Sequence, residues 1–174
     1  MMKWNFVSNI STLRVSLLVW LALLILALAP FKALAEDKPT KVEFDYEGFT
    51  QQYFEAWKGS QKPDATKEDL EHYLSFLTDD VGYQHLPWSD DDSRQPDGKA
   101  ALRKGMSYYL ASHDEYSAKL TNQAYGHNVI MIEFHTVAKG THPDNGQLTL
   151  HDNSAFEVLE IDDGKVSVIR HYSQ

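Results

Sequence analysis

Four strand-like segments fill the C-terminal part of the chain: "EYSAKLTNQAYG", "HNVIMIEFHTVAKG", "GQLTLHDNSAFEVLEI" and "KVSVIRHYS". They are separated only by the turn signals "GHN", "THPDNG" and "DDG". Links this short join antiparallel neighbours, because a parallel connection needs a crossover of a dozen or more residues. The four segments are therefore expected to form a meander. The last link also sets a register. A two-residue Asp163-Gly164 turn pairs Asp162 with Lys165, which puts Glu157 opposite Arg170 and Phe156 opposite His171.

Helical periodicity precedes the strands. In "YEGFTQQYFEAWKG" Phe49, Tyr53, Phe54 and Trp57 fall on one face, with Gly59 as a stop, and predict a helix from about Tyr46 to Lys58. Thr66 followed by Asp69 has the capping-box pattern, and Leu70, Tyr73, Leu74 and Leu77 continue it as a second helix ending near Thr78. Asp79 and Asp80 read as the end of that helix. "VGYQHLPW" then changes to period two, with Val81, Tyr83 and His85 on one face, and Pro87 restricts it to a short or edge strand. Asp97 is placed to cap a third helix, on which Leu102, Met106, Tyr109 and Leu110 form a stripe. Three helices followed by a meandering sheet predict an α+β fold.

The amino terminus is of another kind. Lys3 and Arg14 precede the uncharged apolar run "SLLVWLALLILALAP", and Ala33 and Ala35 make an A-x-A pattern before Glu36. Residues 1–35 are read as a signal peptide cut after Ala35, residues 36–45 as a polar lead-in and residues 46–174 as one domain, a size that one core can organise. A periplasmic or secreted protein is expected, with no membrane contact after cleavage. The alternative is an uncleaved N-terminal anchor, for which the apolar run is short against the about 20 residues of a span.

Lysine plus arginine number 16 against 25 aspartate plus glutamate, a formal charge of −9. Such a surface repels phosphate backbones and anionic lipid, so nucleic acid is not an expected partner. With no cysteine, disulfides, thiolate nucleophiles and cysteine metal sites are excluded. The 8 histidines form no H-E-x-x-H pattern, and "SDDDS" lacks the spacing and central glycine of a calcium loop. Neither metal nor cofactor is expected.

The phrases "FLTDDVGYQHLPW", "PDGKAALRKGMSYYL" and "FEVLEIDDGKVSVIRHY", with the aromatic first helix, resemble the nuclear transport factor 2-like superfamily in its SnoaL-like branch, over nearly all of residues 46–173. The resemblance implies a cone-shaped fold in which a curved antiparallel sheet wraps the helices around a pocket. It also implies a choice of activities. Such proteins include polyketide cyclases, ketosteroid isomerases, epoxide hydrolases and dehydratases, together with non-catalytic modules that bind ligands or partner proteins, so fold does not fix function.

Counted from the paired aspartates, the ketosteroid isomerase pattern puts its general base at the position of His85. An imidazole there suits proton transfer near neutral pH. Its alternative is a hydrogen-bonded residue that only shapes the pocket. Tyr83 is the expected donor to a developing oxyanion; Glu157 with Arg170, if their face is the concave one, is the pair that orients a polar substrate, the alternative being a solvated ion pair, while His171 is expected on the convex side, where homodimers of such folds form. Tyr53, Trp57, Trp88, Tyr109 and His135 are candidate ligand contacts. Together they suit a small, partly apolar molecule.

Overall fold

The computed structural model describes residues 43–173; the expected signal peptide and most of the polar lead-in lie outside the described residues. Helix α1 (Tyr46–Gly59) begins at Asp45, whose Oδ1 accepts the Gly48 N–H at 2.9 Å. Helix α2 (Lys67–Leu74) starts with the expected capping box: Thr66 Oγ1 accepts from the Asp69 N–H at 3.2 Å, and Asp69 Oδ2 accepts from the Thr66 N–H at 2.8 Å. The two helices bury Tyr53, Phe54, Leu70, Tyr73 and Leu74. Tyr53 and Tyr73 share a hydrogen bond of 3.3 Å between their hydroxyls.

Helix α2 stops at Leu74, sooner than periodicity implied, and strand β1 (Leu77–Leu86) begins three residues later. Asp79 and Asp80 therefore lie in a strand and do not end a helix. They occupy an irregular part of it, since the pairing passes from Leu77–Val166 to Gly82–Val168. Asp79 meets Lys99 at 2.7 Å and Asp80 takes a two-pronged bond from Arg94. After β1 come helix α3 (Gly98–Tyr109) and strands β2 (His113–Gly126), β3 (Val129–Thr141), β4 (Leu148–Asp162) and β5 (Lys165–Ser173). Asp97 stands at the N-cap of α3, but its side chain makes no capping bond.

The sheet order is β1-β5-β4-β3-β2. The meander from β2 to β5 is antiparallel as expected, whereas β1 joins β5 in parallel, so the sheet is mixed and open. Its inner face carries Ile130, Ile132 and Phe134 of β3, Leu159 and Ile161 of β4, and Ile169 of β5, all buried against the helices. The fold is thus α+β, with three helices against one face of a five-stranded sheet.

The β4–β5 turn forms as its sequence demands. Asp163 and Gly164 both take positive φ, of 48° and 75°, the requirement of a tight hairpin that Asp-Gly meets, and Asp162 pairs with Lys165. Beyond it the register departs from expectation. Ile161 pairs with Val166 but Glu160 with Val168, leaving Ser167 as an extra residue. From there each partner moves by one, so Glu157 faces His171 and Val158 faces Arg170. A one-residue shift exchanges the two faces of a strand.

Residues 87–97 turn back beside β1. His85 and Ser89 exchange backbone bonds of 3.0 and 2.8 Å, Gln84 Nε2 donates to the Asp90 carbonyl at 3.0 Å, and the Gln95 N–H donates to the Asp80 carbonyl at 3.1 Å. This strap lies so close that a Cβ on Gly82 would collide with the Asp92 carbonyl oxygen, while one on Gly59 would meet nothing within 4 Å. Gly82→Ala is expected to cost about 1–3 kcal/mol, as overpacking does, and to lower the urea midpoint, with Gly59→Ala close to wild type. Equal midpoints for the two variants would refute the close seating of the strap.

Candidate functional site

A cavity of about 820 Å³ opens between the inner face of the sheet, the end of α1, helix α3 and the strap. Helix α3 presents Gly98, Ala101, Leu102, Gly105, Met106 and Tyr109 to it, a face that repeats every three or four residues. The apolar stripe read from sequence is therefore a cavity wall in part, which accounts for the absence of any fully buried residue on α3. The strap contributes every second residue: Ser89, Asp91, Ser93, Gln95 and Asp97 line the cavity. Its alternate residues hold it in place. Arg94 donates to Asp80 at 2.8 and 2.9 Å and to Asp162 at 2.8 Å, and Asp92 accepts from Arg170 at 2.6 Å.

At the inner wall four polar side chains meet. Glu157 is 5% exposed, and its Oε1 lies 2.9 Å from Nδ1 of His171. The His171 ring stands 4.4 Å, centre to centre, from the ring of His85, whose Nδ1 is 3.1 Å from the Tyr83 hydroxyl. Strand pairing explains the cluster. His85 on β1 and Glu157 on β4 both lie opposite His171 on β5, and Tyr83 is two residues from His85 on the same face. Nε2 of His171 is 3.2 Å from Ser173 Oγ. Serine, histidine and glutamate thus stand in the order of a nucleophilic triad, but Ser173 is not among the cavity-lining residues.

The environment sets the charge states. Desolvation, aided by the neighbouring His171, pushes His85 down to about 4. Desolvation and the Glu157 carboxylate together push the Tyr83 hydroxyl well above its ordinary value. His85 is therefore neutral and Tyr83 protonated at neutral pH. The Tyr83 hydroxyl and His85 Nδ1 share one hydrogen bond, and in the tautomer in which Nδ1 accepts it, Nε2 carries the proton.

The expected residues separate into two groups. Tyr83, His85, Glu157, Trp57 and Tyr109 line the cavity. Arg170 does not: it is bound to Asp92 and to Glu160, on the side of the sheet opposite Glu157, because the Ser167 bulge moves it across. For the same reason His171 is in the cavity and not on the convex side. Tyr53 is 1% exposed and serves the core. Trp88 is 75% exposed outside the lining, its ring 4.9 Å, centre to centre, from that of His85. His135 faces away from the cavity and bonds to Asp152 at 3.1 Å.

Sequence reasoning missed His171, His113, His151 and the strap residues as lining groups. His113 bonds to the Gln61 carbonyl at 2.7 Å through Nδ1; a carbonyl only accepts, so Nδ1 carries the proton. For the strap, the position of "DDDSRQ" between an edge strand and a helix was the only signal available. Among the described residues no three His, Asp or Glu side chains converge as a metal-ligating group.

No protein-family model matches the sequence, and no curated protein does. Solved structures do match. A SnoaL-like protein from Shewanella putrefaciens CN-32 superimposes with a TM-score of 0.56 at 12% identity, covering 74% of this chain and 79% of its own. A nuclear transport factor 2-like protein of unknown function from Burkholderia pseudomallei gives 0.55 at 12% identity, covering 74% and 90%. An LEH-like epoxide hydrolase of M. tuberculosis gives 0.51 at 15% identity, covering 73% and 84%. The chain has the nuclear transport factor 2-like fold.

The depressed His85 pKa carries a pH dependence of stability. An imidazole that binds its proton less readily when folded leaves the unfolded chain holding more protons between about 6.5 and about 4. Stability then falls as pH falls through that window. His85→Gln is expected to lose less stability than wild type between about pH 7.5 and about pH 5, measured by urea unfolding at both. An identical loss in both proteins would contradict the assignment.

Proposed function

We propose that the chain binds a small, partly apolar molecule in this cavity and carries out cofactor-free acid/base chemistry on it, of isomerase, cyclase, dehydratase or hydrolase type. The leader supports export as the setting. One observation carries the proposal: a buried Glu157 carboxylate bonded to His171 at 2.9 Å, beside a second imidazole, in the wall of a large cavity. A base oriented by a carboxylate is the arrangement general-base catalysis requires.

The roles follow from the charge states. His171, with Nδ1 held by Glu157, takes the proton. His85 is too weak a base at neutral pH and acts as a donor, its Nε2–H directed to charge that develops on the substrate, with Tyr83 fixing its tautomer. Trp57, Leu102, Met106 and Tyr109 supply the apolar contact. Arg170 has no part, since its guanidinium is taken up by Asp92 and Glu160.

A second reading, a non-catalytic binding module, is favoured by a different observation: both His171 nitrogens already have partners, Glu157 and Ser173. Turnover separates the two. The purified protein is incubated with a β,γ-unsaturated ketone and with an alkyl epoxide in D2O, and conversion is followed by NMR. Catalysis predicts conversion that His171→Ala lowers by about 100- to 10,000-fold, the share general acid–base groups contribute, with Glu157→Gln reduced in the same direction. Folded His171→Ala at the wild-type rate would sink the proposed base. Binding without conversion would leave the module.

A further inference from the structure

The charge of the cavity wall is one-sided. Three carboxylates line it, Glu157 from the sheet and Asp91 and Asp97 from the strap, and among the described lining residues there is no lysine or arginine. Four basic side chains of the surrounding elements are engaged elsewhere. Arg94 is bound to Asp80 and Asp162, Arg170 to Asp92 and Glu160, Lys99 to Asp79 and Arg103 to Glu71. Asp92 on the strap and Asp80 on β1 receive a guanidinium each, while among the described residues Asp91 and Asp97 receive none.

Asp97 departs from local expectation in the same direction. An aspartate at an N-cap ordinarily accepts from the first turn, yet here it makes no such bond, and its residue lines the cavity. Asp91 accepts the Ser93 N–H at 2.9 Å. Glu157, at 5% exposure, has the His171 imidazole as its only hydrogen-bond partner among the described residues. A buried carboxylate with so little compensation gains from any cation that reaches it. Trp57, Tyr73, Tyr83 and Tyr109 also line the cavity, ring types whose faces attract a cation.

We propose that the ligand of this cavity is an organic cation, a protonated or quaternary amine on a partly apolar body. The inference rests on the reading of the cavity as the binding site and adds the charge of what enters it. A bare metal ion does not fit, because the three carboxylates do not converge. An anion would meet carboxylates with no guanidinium or ammonium to offset them. The net charge of −9 adds a field that concentrates cations at the mouth.

Three probes of one shape test this on the full chain by isothermal titration: benzyltrimethylammonium, its uncharged isostere neopentylbenzene, and the anion phenylmethanesulfonate. The cation is expected to bind about ten-fold or more tightly than the uncharged isostere, a difference of about 1.4 kcal/mol, and the anion least of all. The double variant Asp91→Asn/Asp97→Asn, at exposed positions that leave the core intact, is expected to weaken the cation several-fold and leave the uncharged isostere unchanged. Equal or tighter binding of the uncharged or anionic probe overturns the charge selectivity and leaves the cavity as a binding site. Failure of all three probes to bind overturns both.

Discussion

One extra residue in a β-strand decides which chemistry meets in this molecule. Were β5 regular from the Asp163-Gly164 turn onward, Arg170 would stand opposite Glu157 on the inner face and His171 would turn outward. Ser167 interrupts the alternation, and four consecutive residues, Val166 to Ile169, are buried where a regular strand would bury every second one. The result is a carboxylate facing an imidazole inside and a guanidinium facing carboxylates outside. A buried acidic group requires a partner, so the bulge and the pair it creates are parts of one constraint.

The same constraint shows where the sequence could be read and where it could not. The capping box at Thr66, the aromatic face of α1, the edge position of "VGYQHL" and the order of the meander follow from local chemistry, and each appears in the structure. Tyr83 and His85 share a face because period two is a property of any strand. What local chemistry does not contain is the position of a bulge, for a run such as "KVSVIRH" is equally compatible with a regular ladder. The end of α2 was misread for a related reason: Leu77 fits both a helical stripe and the first inward position of a strand, and only its pairing with Val166 distinguishes them.

Aromatic residues were the least legible part of the site. Trp57 and Tyr53 lie on one helix four residues apart, yet one reaches the cavity and the other is sealed in the core against Tyr73. Residue type says that a ring will be covered, not by what. Helix α3 illustrates the converse. Its small residues Ala101 and Gly105 face the cavity beside Leu102 and Met106, and the space they leave is part of its volume.

The strap joins two demands that are usually met by separate parts of a protein. It covers the outer edge of β1, whose backbone would otherwise be open to pairing with another chain, and its alternate residues form one side of the cavity. Any movement that widens the mouth on that side also uncovers an edge strand. Opening the cavity on that side and exposing the β1 edge are therefore one event, and the grip of Arg94 on Asp80 and Asp162, with that of Arg170 on Asp92, holds against both.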